Sequence, residues 1–422
     1  MRVLDGTPSP KRYTTGTHRA CEPRETLERC WPLASAMGIT RLANVTGLDV
    51  IGLPMWTCIR PNSRGLSTSQ GKGFDSLAAK VSALMESIES WHAERITLPL
   101  RHESAYGLSR EAHVADLARL NTYADAVIRD DTPLLWVEGV DLMTQRPTWL
   151  PFDCVSTNYV WPGRGGVLAN FVMSSNGLAS GNTLCEAIVH GLAEVIERDA
   201  VALTADEVRA GAPSRRVDPR TIDDPDSVRL LAMLEKANVL AAVFDITSDT
   251  GIPAFACTIV DAGEQSRWRT LPAFSGYGAH TSRGIALLRA ITEAVQSRLT
   301  HISGSRDDIS AAEYQRTGNA DDLRRYREVI TATQPTADFT ARASRCTESF
   351  EGDLRIMLDA LRAVGVESVL VADLTRAEVG IPVVKVVVPG LEAPAAMLRG
   401  KAVRRGKRAR DARPAPAAVP RA

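Results

Sequence analysis

Apolar residues recur at helical spacing in three long stretches, and in two of them carboxylates run along the border of the apolar face. Over about 75–95, in "DSLAAKVSALMESIESWHAER", Val81, Leu84, Met85 and Ile88 form the stripe, while Ser82, Glu86 and Glu89 follow at i, i+4 and i+7. That spacing sets the three polar residues within roughly 60° of one another on a helix of 3.6 residues per turn. From 174, "SSNGLASGNTLCEAIVHGLAEVIERD" opens on Gly, Ser and Asn and becomes helical. Leu184, Ile188, Leu192 and Val195 face inward there, with Asn182, Glu186, Glu194 and Glu197 along the edge. The third stretch, "TSRGIALLRAITEAVQSRLTHI", follows a glycine-bearing strand end at "FSGYG".

The remaining pattern is dominated by strands. "ETLERCWPLASAMGI" predicts an early amphipathic helix, and "TRLANVTGLDVIGLPMWTCIRP" predicts strands interrupted by Gly and Pro. "LLWVEGVDLMTQRPTWLP" predicts a hairpin about "TQRP", and "AAVFDITSDTGIPAFACTIVD" reads as strand, turn, strand. "VESVLVADL" and "IPVVKVVVPG" read as buried strands, and the charged "SRDDISAAEYQRTGNADDLRRYREV" as mostly polar surface and loop. Hairpin-like pairs among long separated helices predict an α+β fold with mixed or antiparallel sheets, not a doubly wound parallel one. No period of 20–50 residues recurs, which disfavours solenoids and propellers. A catalytic domain is expected over 1–393. The Ala-, Arg- and Pro-rich 394–422, in which Arg and Lys far outnumber the single acidic residue Asp411, is expected to be a disordered tail.

Composition narrows the function classes. The 50 basic and 50 acidic residues of the 422 cancel, so nothing global points to nucleic acid or an anionic membrane surface. No apolar run approaches the roughly 20 residues of a spanning helix, and the N-terminus has no apolar segment of signal-peptide type. A cytoplasmic location is the expectation. Cysteines 21, 30, 58, 154, 185, 257 and 346 form neither CxxC nor CxxH pairs, so a zinc ribbon or redox dithiol is not suggested and reduced thiols are expected.

Each carboxylate helix carries ExxE: Glu86 with Glu89, and Glu194 with Glu197. Glutamates converging from core-facing helices repel unless a cation lies among them, and magnesium, hard and often completed by phosphate oxygens, suits them. A di-iron site would ask for ExxH on both helices, and Glu89 with His92 supplies it on one. A solvated face is the plain alternative for ExxE. "SQGKGF" resembles a phosphate loop, but the Walker pattern fails, because Gly73 stands where Ser or Thr would bind magnesium. Lys72 could still approach a phosphate at the following helix N-terminus, or sit exposed in a plain turn. Arg289 and Arg298, with Glu293 and Gln296 between them, suit phosphate or else pair along their own helix.

Together these segments resemble the YcaO family of ATP-dependent enzymes that modify peptide backbone amides. The likeness runs over about 15–392, through "SQGKGFDSLAAKVSALMESIESWHAE", "NGLASGNTLCEAIVHGLAEVIERDA", "DITSDTGIPAF" and the third helix. The N-terminal "GTHR", "GITRLANVTGLDVIGLP" and "RPNSRGLSTSQGKG" resemble the branch found with TfuA-type partners, which is associated with thioamide formation. The resemblance implies a non-Walker ATP site. Lys72, Ser82, Glu86, Asn182, Glu186, Arg289 and Arg298 would bind the nucleotide, and Glu86, Glu89, Glu194 and Glu197 would hold Mg2+. It further implies a precursor peptide or protein as substrate, a TfuA-like partner and a sulfur donor, and it is compatible with a homodimer.

Azoline-forming members tend to end close to PxPxP, whereas Pro414, Pro416 and Pro420 are out of that register and Arg421 and Ala422 follow. The expected chemistry is therefore ATP-dependent O-phosphorylation of a backbone amide with an external sulfur nucleophile, giving a thioamide. Azoline or amidine closure is the alternative within the family, and a noncatalytic peptide- or nucleotide-binding scaffold is the alternative outside it.

Overall fold

The computed structural model describes residues 9–124, 126–160, 170–209, 215–263, 271–312, 314, 319–393 and 403–404. Among them every pairing between strands is antiparallel, so the fold is α+β. Three sheets are each covered by one long helix. β1 (Arg41–Asn44), β2 (Met55–Ile59) and β3 (Thr68–Lys72) form the first, under α1 (Ser76–Ala93). β4 (Leu100–Ser104) begins a six-stranded sheet that takes in β6 (Pro133–Asp141), β7 (Arg146–Pro151), β8 (Leu178–Ser180), β12 (Leu370–Asp373) and β13 (Val383–Val387). Helix α2 (Leu184–Arg209) lies on its β8–β13 side. The third sheet, β9 (Val239–Asp245), β10 (Ala254–Asp261) and β11 (Phe274–Ala279), carries α3 (Arg283–Ser303).

The expected hairpin is β6–β7, turning at 142–145, where Gln145 takes a positive φ of 58°. The early helix is shorter than its pattern: Pro23–Cys30 is α-helical, and the chain tightens to a 3₁₀ turn at Trp31–Leu33, where Pro32 has no N–H to continue the ladder. "GKG" is not a loop. Gly71 and Lys72 close β3, and a Cβ at Gly71 would lie 2.1 Å from both Ala79 O and Ala83 N, so glycine there lets α1 rest on bare strand backbone. Gly276 does the same for β11 and α3, with Ala294 N 2.1 Å from its notional Cβ. The charged stretch read as surface and loop contains a helix, Ala320–Ala332. Only Leu323 and Ile330 of it are buried, two anchors seven residues apart that leave little hydrophobic signal in the sequence.

One core cluster, with Leu84, Ile88 and Trp136, packs α1 against the six-stranded sheet. A second seats α2 through Ile188, Leu192 and Val195 on β12, β13 and the helix Phe350–Ala363, and a third seats α3 on β9–β11. Of the expected tail, Val403–Arg404 pairs with β5 (Thr122–Tyr123), and the rest lies outside the described residues. Among the described residues no helix is long and apolar enough to cross a membrane.

Candidate functional site

Helices α1, α2 and α3 meet at the ends of β3, β8 and β11, and the carboxylates of both ExxE pairs converge there. Each of three glutamates gives one oxygen to a strand amide, mid-strand in β3 and at the ends of β8 and β11. Glu86 Oε2 accepts from Gln70 N at 3.1 Å, Glu89 Oε1 from Ser180 N at 2.8 Å, and Glu197 Oε2 from Ala279 N at 3.0 Å. Ser180 Oγ adds a second bond to Glu89 at 2.7 Å. The other oxygens, Glu86 Oε1, Glu89 Oε2 and Glu197 Oε1, make no hydrogen bond among the described residues. Glu197 Oε1 is buried in that state. Backbone amides on three strands thus hold the carboxylates in place; one oxygen each of Glu86 and Glu89 is left for a ligand, while Glu197 Oε1 faces Arg198 Nη1 at 3.3 Å.

Charge in the cluster is held at a cost. Burial pushes Glu86, Glu89 and Glu194 up to about 7, and neighbouring carboxylates add to it: Glu194 acts on Glu86, Glu86 on Glu89, and Glu197 and Glu89 on Glu194. Glu86 is recessed among protein atoms yet open to the cleft by its surface, so solvent entering the cleft offsets its shift most. Glu197 is raised as well, first by burial and then by Glu293 against the opposing pull of Arg198. Cations face the row. Lys72, at the end of β3, is pushed down to about 8 by burial while Glu293, Glu197 and Glu86 oppose the fall. Arg289 Nη2 stands 3.9 Å from Glu197 Oε2, and its Nη1 lies 3.0 Å from His190 Nε2. Arg198 bridges Glu197 at 3.3 Å and Glu293 at 3.6 Å.

The donor set fits a hard divalent cation. Four carboxylates, three of them with an oxygen that no protein group holds, and no thiol offer the oxygen ligands that Mg2+ prefers. No three of the glutamates bring oxygens within 4.8 Å of one another, a spacing wider than a closed protein cage and suited to an ion whose shell is completed by water and phosphate. Ser82, one turn before Glu86 on α1, is half-buried and keeps its hydroxyl without a hydrogen bond among the described residues.

Three other candidates are engaged elsewhere. Asn182 accepts from Thr26 Oγ1 at 2.9 Å and Arg29 Nη2 at 2.7 Å. Glu186 Oε2 accepts from Ala20 N and Asn182 N, both at 3.1 Å, so this pair fastens the N-terminal segment 19–29 to α2. Arg298 is not brought to the cluster. Its Nε bonds Asp49 Oδ2 at 3.0 Å and its Nη1 bonds Asp261 Oδ1 at 2.6 Å. Nine residues along a helix are about half a turn out of phase, so Arg289 and Arg298 point to opposite faces of α3. Nor does Arg289 pair along its own helix.

Residues not assigned to the site from the sequence also join it. His190 precedes Glu194 by one turn, Arg198 follows it by one turn, and Glu293 follows Arg289 by one turn, so the i+4 spacing that found the glutamates reaches all three. Arg19 and Arg306 carry no such local signal. They come from segments far away in sequence, Arg19 acting on Glu89 and Arg306 on Glu86.

A family model described as YcaO cyclodehydratase, ATP- and Mg2+-binding, matches residues 70–392. A Rhizobium leguminosarum bv. trifolii protein described by its place in the tfuA 3′ region is 35% identical over 379 residues, 89% of this chain and 88% of that one. A Methanothermobacter thermautotrophicus protein is 36% identical over 383 residues, 89% of this chain and 95% of its own. Among solved structures, a YcaO protein from Methanopyrus kandleri bound with AMPPCP and Mg2+ shares the fold, with a TM-score of 0.70 and 24% identity over 91% of this chain and 95% of that one. A heterocyclase in complex with substrate and cofactor has a TM-score of 0.76 at 23% identity; the match covers 92% of this chain and about half, 54%, of the heterocyclase.

Proposed function

The chain belongs to the YcaO family, and we propose that it uses ATP to activate a backbone amide of a ribosomally made peptide or a protein and, with a TfuA-like partner, exchanges the amide oxygen for sulfur. The observation that carries the ATP chemistry is the meeting of both ExxE helices with Lys72, Arg198 and Arg289 in one cleft. Sulfur is favoured by the likeness to the protein of the tfuA 3′ region.

An amide carbonyl is a poor electrophile and its oxygen a poor leaving group. Transfer of the γ-phosphoryl group to that oxygen turns it into phosphate, which departs with the C–O electron pair. Glu86, Glu89, Glu194 and Glu197 would hold Mg2+, which when bound neutralises phosphate charge. Lys72 and Arg289, which stand among these carboxylates, would bind the phosphates and offset the charge that develops on the transferring group. Ser180, Gln70 and Ala279 keep the carboxylates in place through backbone N–H groups, so little reorganisation accompanies the transfer. With hydrosulfide as nucleophile the balance is amide, HS− and ATP to thioamide, ADP and hydrogen phosphate.

The family's description as cyclodehydratases supports a second reading, closure by a peptide side chain with loss of water. Mass separates the two, since exchange of oxygen for sulfur adds about 16 Da and closure removes about 18 Da when phosphate carries off the oxygen. The test is mass spectrometry of candidate precursor peptides co-expressed with this chain and a TfuA-like protein, repeated with Glu89→Gln. A gain that disappears in Glu89→Gln is expected; a Glu89-dependent loss of water would replace the first reading by the second.

A further inference from the structure

A second cluster of titratable side chains adjoins the carboxylates and takes no part in the phosphate chemistry. Two segments lead from one to the other. Ala279, whose N–H holds Glu197, is followed by His280 and Thr281; Ala20, whose N–H holds Glu186, is preceded by Arg19 and His18. Successive Cα atoms are only about 3.8 Å apart, so His280 starts one residue from the amide that holds Glu197, and His18 starts one residue from Arg19, whose charge acts on Glu89. The His18 and His280 rings meet edge to face, centroids 5.1 Å apart at 71°, and with Asp353 they bring ligand atoms within 4.8 Å of one another.

The trio does not suit a metal. Asp353 Oδ2 already accepts from Lys11 Nζ at 2.6 Å and Thr281 Oγ1 at 3.0 Å, and Oδ1 accepts from Thr347 N at 2.7 Å and Thr347 Oγ1 at 3.2 Å. A carboxylate with four donors, one of them a cation in contact, has no capacity left for a second cation. What remains is a pair of imidazoles in different states. His280 Nδ1 accepts from Ser282 N at 2.9 Å, which fixes its tautomer with the hydrogen on Nε2. His18 has no hydrogen bond on either ring nitrogen among the described residues, and its Nδ1 is sealed from bulk water. Its basic lone pair is uncommitted.

We propose that His18 is the proton acceptor of the sulfur-for-oxygen exchange, with His280 positioning its ring. This rests on the thioamide reading above. Hydrosulfide forms the C–S bond at the amide carbon, the carbonyl oxygen takes the γ-phosphoryl group, and the C–O bond breaks with its electron pair leaving on phosphate. The S–H proton passes to the His18 imidazole and from there to the departing phosphate or to water, leaving the neutral thioamide. Burial, with Lys11 and Arg19 alongside, pushes His18 down to about 4 and so keeps it unprotonated in neutral solution. A sulfur-protonated thioamide is strongly acidic, so even this weakened imidazole is base enough.

The experiment uses the peptide that gains mass in the test above, the full chain with its TfuA-like partner, ATP, and sodium sulfide as the sulfur source. His18→Gln keeps polarity but not a titratable ring, and His18→Ala leaves space for added imidazole. Expected are a loss of thioamide formation of roughly 10²–10⁴-fold in both, the scale of a removed general base. ATP affinity should be retained, and imidazole should restore part of the rate in His18→Ala only. Thioamide formation by His18→Gln at the wild-type rate, or a loss in both variants explained by lost ATP binding, overturns the proposal while the thioamide reading stands. A wild-type enzyme that gives no mass gain removes both.

Discussion

Glu194 makes no hydrogen bond among the described residues, and its place among Glu86, Glu89 and Glu197 lets one substitution weigh the strain of the carboxylate row against its use. In the folded chain burial raises Glu194 from 4.5 to about 7. A carboxyl with a raised folded pKa binds more protons folded than unfolded, so its contribution makes stability fall as pH climbs from about 4.5 to 7 and stay level above that. At about 1.36 kcal/mol per pKa unit the difference is about 3 kcal/mol, a ceiling that solvent in the cleft lowers. Glu194→Gln removes this cost and loses no hydrogen bond. Without Mg2+ the variant should therefore match wild type near pH 4.5 and be the more stable at pH 8. With about 2.1 cal/mol/K of unfolding entropy per residue over 422 residues, that corresponds to a rise in Tm of up to about 3 °C. Mg2+ with a nonhydrolysable ATP analogue should reverse the order. Wild type gains about 2.7 kcal/mol at a hundredfold excess over Kd, and the variant gains less because a ligand charge is missing. Thermal melts at both pH values, in EDTA and in Mg2+ with the analogue, read all of this. Equal melting of the two proteins at pH 8 in EDTA would refute the buried strain at Glu194, and an equal gain from Mg2+ and analogue would refute Glu194 as a ligand of the cation.

Two further substitutions test the scaffold. Gly71→Ala would place a Cβ 2.1 Å from Ala79 O and Ala83 N, backbone atoms that cannot swing aside, so denaturant melts should show a loss above the about 1–3 kcal/mol of ordinary overpacking. Arg298→Met would leave Asp49 and Asp261 without their shared cation; a loss of about 3–5 kcal/mol is expected, with nucleotide affinity by calorimetry unchanged because Arg298 faces away from the cleft.

The sequence alone determined the three long helices and the glutamates along two of them, because both are local. An apolar stripe with carboxylates at its border follows from a period of 3.6 residues, and α1 (Ser76–Ala93) and α2 (Leu184–Arg209) lie where Val81 to Ile88 and Leu184 to Val195 require them. The same spacing carried His190, Arg198 and Glu293, and the half-turn phase that separates Arg289 from Arg298 was also present in it. Only the tertiary structure decided how the carboxylates are held and what opposes them. Glu89 meets Ser180 across 91 residues and Glu197 meets Ala279 across 82, contacts made largely through backbone N–H groups that every residue but proline possesses and that no side-chain pattern marks. Gly71 looked like part of a phosphate loop because flexible loops and tight strand–helix contacts both select glycine, and only the position of Ala79 and Ala83 tells them apart. His18 and Asp353 lie 335 residues apart in the chain, and they meet where the N-terminal segment, the chain after β11 and the helix Phe350–Ala363 come together, a long-range packing outcome that local periodicity does not encode.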